Sequence, residues 1–347
     1  LFAAKYPGSI MDHLGQWFFG YLDIGKIGVL LFFGVSGFII PYSIKKYKTS
    51  ALKNFIISRF FRLYPVYCLS IILAVLIGAF ISDIIVIPPG ISTFLINFTM
   101  FQKFFFVENI IGVYWTLQIE LAFYILCGLY YYFKVLDNKK ISFGTIIFMI
   151  ITAFAFAIFR YFTKIEAPIA MPLALSIMFL SMLWRSFLFK EYEIKISSLI
   201  KVLAFLLIML IPITYLGYNE SFTRYLSTYY FAIAAFILFS TVFQIGNKFF
   251  VLMGKISYSV YLFHVLIGFI ALKYMIKAGI FNYLGYDLGI LVSMMVGIIT
   301  TILFSMLTYY LIEEKFINIG KSIIENGIRS IIPFKSFLLD NKQEINN

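Results

Sequence analysis

Three short stretches hold the residue types that proton transfer and group transfer require. The first is YWTLQIELAFYILCGLYYYF, residues 114–133, an apolar run that carries Glu120. An unpaired carboxylate in hydrocarbon costs several kcal/mol, so such a group is paired, protonated or turned toward a polar cavity. On a helix Thr116, Glu120 and Tyr124 recur every fourth residue and form one polar stripe, with Trp115 beside it. Two readings stay open: a structural carboxylate bonded between helices, or a functional group. The second stretch is SRFFRLYP, residues 58–65. Arg59 and Arg62 share a helix face, and two guanidiniums at a helix mouth make a fork that suits phosphate oxygens. Lipid headgroup anchoring is the other reading, and Pro65 is expected to deform the first turn of that span. The third is GKISYSVYLFHVLIGF, residues 254–269. Ser257, Tyr261 and His264 fall on one face, with His264 about 10 Å into the span at the usual helical rise. A neutral imidazole there is a proton acceptor or a hydrogen-bonded core group.

Other polar residues invite plainer readings. His13 beside Asp12 reads as a solvated loop residue, and Ser36 with Gly37 as a site of close helix packing. Glu313 and Glu314 beside Lys315 read as a solvated helix end at the cytoplasmic boundary.

The elements that must position these groups are membrane helices. The chain is 62% hydrophobic and 13% charged, with a mean hydropathy of +0.95. Soluble domains are about half apolar and about one quarter charged, so the class is a polytopic integral membrane protein. A span needs about 20 apolar residues, and nine stretches qualify: 24–43, 61–82, 114–133, 141–160, 168–188, 199–217, 227–245, 257–276 and 287–312. The net charge of +12 does not indicate nucleic acid. Most of the 28 basic residues fall in alternate loops and in the C-terminal tail, which places those loops and the tail in the cytoplasm. Cys68 and Cys127 lie inside apolar spans and read as packing residues. With two histidines in the chain, a His-rich metal site is not expected. Within the external segment 83–113, IPPGIST marks a turn. The part after it is too apolar for a freely solvated loop, so it is expected to lie in the interface or dip back toward the membrane. The chain starts in an apparent loop, which implies a further helix upstream.

Five pieces in order resemble the acyltransferase-3 family of membrane acyltransferases: LLFFGVSGFII, SRFFRLYP, YWTLQIELAFY, KISYSVYLFH and LTYYLIEEKF, over residues 27–316. The resemblance implies an all-α bundle of ten spans, nine of them in this sequence. It implies transfer of an acyl group, acetyl foremost, from cytoplasmic acyl-CoA to a hydroxyl of a glycan or similar acceptor across the membrane. Arg59 and Arg62 match the family's Arg-x-x-Arg and are the donor-binding candidates. Glu120 and His264 match polar motif positions and are the catalytic candidates, with Trp115, Tyr124 and Tyr261 lining the substrate. The family also places an Arg and a catalytic His in a first helix ahead of the Ser-Gly-Phe segment, which is expected upstream of Leu1. The expected domain is residues 1–320, followed by a cytoplasmic tail, 321–347. The expected location is the plasma or inner membrane, with lipids and a glycan as partners, no metal and no nucleic acid. The rival reading is a proton-coupled glycan or lipid transporter using Glu120 and His264.

Overall fold

A computed structural model of the chain describes residues 20–47, 49–80, 90–243 and 246–326. Among them the regular structure is helical. In order come α1 (Ile24–Lys45), α2 (Ala51–Phe80), a short α3 (Ile91–Phe98), α4 (Tyr114–Tyr132), α5 (Lys139–Thr163) and α6 (Ala170–Leu188). Then follow α7 (Ile196–Tyr218), α8 (Phe222–Thr241), α9 (Lys248–Lys277), α10 (Ile280–Thr308), a π-helical turn (Tyr309–Glu313) and α11 (Glu314–Asn326). Within the described residues, each of the nine expected spans falls largely on one of these helical stretches. Eight helical stretches are long and apolar enough to cross a membrane. The remaining expected span is α4, whose 19 residues include Gln118 and Glu120. The protein is a polytopic, multi-pass helical membrane protein. Asp12, His13, residues 87–89 of the turn signal, and Arg329, Lys335 and Lys342 of the tail lie outside the described residues.

Local chemistry sets several helix starts. Asp23 accepts from Lys26 N at 3.0 Å, Asn138 from Lys140 N at 3.1 Å, and Asn247 from Phe249 N at 3.0 Å, each satisfying a donor that the first turn leaves open. Two helices start well ahead of the apolar run that announced them. The span expected from residue 61 belongs to a helix that begins at Ala51, and the one expected from 257 begins at Lys248. Apolarity marks the part of a helix suited to lipid, whereas hydrogen bonding continues through polar residues at either side. Arg59, Arg62 and Pro65 therefore lie inside α2 rather than at its first turn, and His264 lies near the middle of α9.

The helices form two compact units. The first holds α1 and the chain from Trp115 to Gly246. Its centre is α6, two thirds buried and packed on α1 and α5. Phe33, Phe123, Met178, Phe179, Leu206 and Leu210 fill its core. A Cβ on Gly37 would sit 2.6 Å from Met178 Cα, so α1 and α6 touch backbone to backbone, as the Ser36–Gly37 pair had indicated. At the C-terminal ends of α1 and α6, cations and carboxylates balance. Lys45 pairs with Asp137 and lies 3.8 Å from Glu191, which also takes Arg185 Nε at 3.3 Å. Burial, seconded by the nearby Asp137 and Glu191 carboxylates, pushes the Tyr192 hydroxyl up.

The second unit holds residues 47–114, α9, most of α10, and α11. Here α11 lies on α2, with Gly320 against the Phe61 ring. The boundary expected at residue 320 therefore falls within a packed helix that continues to Asn326. The apolar segment after Gly90 is a built element rather than a solvated loop. Asn97 is fully buried, donates to Thr93 O at 2.9 Å and Glu108 O at 3.0 Å, and accepts from Ile110 N at 3.1 Å. One amide thus closes residues 93–110 on themselves and satisfies their turning backbone.

Candidate active site

The first unit carries Glu120 on α4. Thr116, Gln118 and Glu120 are all buried, at 0%, 4% and 5% exposure. The stripe expected from spacing is present: Tyr124 is buried on the same face and donates its hydroxyl to Glu120 Oε1 at 2.6 Å. A bond of that length restrains the rotamer of the Glu120 side chain. Trp115, half-buried, meets Phe33 of α1 edge-on at 6.4 Å. Gln118 was missed in the sequence. Its signal was available, since any polar residue in so apolar a run requires a partner.

The second unit carries Arg59, Arg62, Tyr261 and His264. Arg59 lies 5.4 Å over the Phe55 ring. Arg62 is exposed and stands within electrostatic reach of Glu313. Tyr261 donates to Val113 O at 2.8 Å, which ties α9 to the chain just ahead of α4. His264 is exposed, not a core group, and its Nδ1 lies 2.7 Å from Tyr261 O. A carbonyl can only accept, so Nδ1 carries a proton toward Tyr261 O. Ser257 turns away from this pair and bonds Gly254 O at 2.8 Å.

Glu313 departs from its expected role. It is 1% exposed at the end of the π-helical turn and accepts from Ser259 Oγ at 2.6 Å. The reading as a solvated boundary is corrected for Glu313: the π turn rotates it inward against α9, while Glu314 stays half-exposed. Such turns recur at functional sites. Neighbouring Tyr258, also buried, donates to Leu63 O at 2.9 Å, between the arginine pair and Pro65. The structure thus brings Glu120 together with Trp115 and Tyr124 in one unit. It brings Arg62 within electrostatic reach of Glu313, which Ser259 holds, in the other.

Among the described residues no group of three or more His, Cys, Asp and Glu is placed to hold a metal ion. A family model described as an acyltransferase domain, that of the acyltransferase-3 family, matches residues 2–310. The match takes in His13 and the segment ahead of α1, and it ends short of Glu313. No curated protein and no solved structure matches the chain.

Proposed function

Since this chain belongs to the acyltransferase-3 family, we propose that it is a membrane O-acyltransferase. In this reading it moves an acyl group, acetyl foremost, from cytoplasmic acyl-CoA to a hydroxyl of an extracytoplasmic glycan or similar acceptor. The observation that carries the reading is a buried carboxylate held by a tyrosine hydroxyl, Glu120 with Tyr124, inside a multi-pass member of an acyltransferase family.

The chemistry follows from the groups present. A base takes the acceptor's hydroxyl proton as its oxygen attacks the thioester carbonyl. The carbon–sulfur bond then breaks, and the leaving thiolate recovers the proton. The base is a histidine: the one the family places ahead of the Ser-Gly-Phe segment, for which His13 is the candidate within the matched residues, or His264. Glu120, held by Tyr124, is the candidate for relaying protons within its own unit. Arg59 and Arg62 hold the phosphates of the donor, for which a guanidinium fork is suited.

The test uses full-length protein in liposomes with radiolabelled acetyl-CoA and a panel of glycan acceptors, scoring label on the acceptor. Glu120→Gln is expected to lower transfer by about 10²-fold or more, the scale of acid–base assistance. His264→Ala and His13→Ala separate the two bases, and Arg62→Ala is expected to weaken acyl-CoA binding. Acceptor crossing the membrane with no label transferred overturns the reading in favour of a transporter.

A further inference from the structure

At the opposite end of the first unit from Lys45, three cations gather near one carboxylate, Asp23. The start of α1, the ends of α5 and α7 and the start of α8 meet there. Lys26 Nζ lies 3.6 Å from the Tyr225 ring centroid, 5.0 Å from that of Tyr218 and 5.9 Å from that of Tyr229. The Arg160 guanidinium lies 5.3 Å from the same Tyr218 ring, so two cations approach one aromatic ring. Tyr218 and Tyr225 stack at 4.1 Å and 10°. The one carboxylate paired here, Asp23, is engaged twice. Its Oδ2 holds Arg224 Nη2 at 3.1 Å, and its Oδ1 caps α1. Among the described residues neither Lys26 Nζ nor the Arg160 guanidinium has an ion pair or a hydrogen bond, and Arg224 Nε is buried with no acceptor.

Cation–π contact offsets part of the desolvation of an ammonium but leaves its N–H donors unused. Like charges gathered on one patch also repel. An anion placed among them satisfies the donors and removes the repulsion. We propose that this cluster of Lys26, Arg160 and Arg224 around Tyr218 and Tyr225 binds the anionic group of an acidic saccharide, the acceptor. The proposal rests on the acyltransferase reading only for the word acceptor. Two features favour a saccharide. Lys26 is recessed among three rings, which suits a carboxylate on a sugar ring better than a phosphate in a flat bilayer surface. Tyr21, just ahead of α1, and Tyr215, near the end of α7, are also exposed, and aromatic rings at this end offer apolar faces to a pyranose. The positive-inside pattern places this end outside the cytoplasm, where the acceptor is.

The experiment is saturation-transfer NMR on the full-length protein in zwitterionic nanodiscs without acyl-CoA. A galacturonic acid trimer is titrated against the neutral galactose trimer. The acid is expected to bind about tenfold tighter, the scale of one charge-assisted contact, and to lose that preference as salt rises. The paired variant Lys26→Gln with Arg160→Gln is expected to abolish the preference, and Lys26→Arg with Arg160→Lys to keep it. Equal binding of the two trimers overturns the proposal, as does a preference that survives in a Gln pair that melts like the wild type. If the Gln pair does not fold, a wild-type preference indifferent to salt overturns it. A repeat in phosphatidylglycerol nanodiscs tests the lipid source. Lipid-dependent melting that the Gln pair lacks, with no preference for the acid, assigns the anion to a headgroup and sinks the saccharide. Because no donor is present, failure of acyl transfer bears on the enzymatic reading and leaves this result standing.

Discussion

Two adjacent glutamates part company at the end of α10. Glu314 stays half-exposed, whereas Glu313 is buried and bonded to Ser259 across 54 positions of chain. A buried carboxylate that loses its donor pays its full desolvation cost, about 1–3 kcal/mol or more for a charged group. A double-mutant cycle on Ser259→Ala and Glu313→Gln is therefore expected to give a coupling energy of about 1–3 kcal/mol in detergent unfolding. Additive effects of the two changes would remove the bond from the protein's stability. A parallel loss of acyl-CoA affinity in Glu313→Gln, with Arg62 intact, would show that the buried carboxylate also sets the field at the arginine pair. At this scale Glu120 was legible and Glu313 was not. Glu120 stands alone in an apolar run, so its burial and its need for Tyr124 follow from solvation. Glu313 sits where the apolar run ends, and its inward turn depends on a π-helical register that Ser259 and α9 help to select.

At the scale of elements, contact between α1 and α6 is set by one missing side chain. Gly37 lets the α6 backbone approach to where its own Cβ would stand. Small residues let membrane helices come close enough for dispersion to hold them together, since lipid supplies no hydrophobic drive between them. Gly37→Ala is expected to lower stability by at least about 1–3 kcal/mol, the usual cost of overpacking. The measurement is the melting temperature in detergent, beside Gly112→Ala, where a Cβ meets open space. Equal melting of the two variants would mean that the helices separate freely. A different glycine freedom serves α10, where Gly285 takes φ 73° and kinks the helix near its start. A left-handed φ of that kind is costly for a residue with a Cβ. The close packing at Ser36–Gly37 was readable because small residues in mid-span have few other uses. The early starts of α2 and α9 were not, because apolarity reports lipid contact rather than helix length.

At the scale of the whole molecule, the proposed chemistry depends on sidedness. The proposed donor is cytoplasmic, and the loop charges predict which helix ends face that side. In a background with Cys68 and Cys127 replaced by serine, a membrane-impermeant thiol reagent is expected to reach Lys139→Cys from the cytoplasmic side alone. It is expected to reach Lys164→Cys, at the other end of α5, from outside alone. The reverse pattern would invert the protein and set the Lys26 cluster against the cytoplasm.

Composition and hydropathy were enough for the class and for the number of crossing segments to within the borderline α4, because solvation by lipid acts on each segment independently of the others; the family was legible in five short motifs in order. The folded chain of contacts was needed for the rest. It buried Gln118 along with Glu120, closed residues 93–110 around Asn97, turned Glu313 onto Ser259, and brought Lys26 and Arg160 to one tyrosine ring, with Arg224 paired to Asp23 nearby. Each of these joins residues far apart in sequence or depends on a helical register that only a packed neighbour stabilises. Hydrogen bonds and charges satisfied across the fold leave no periodic trace in the chain itself.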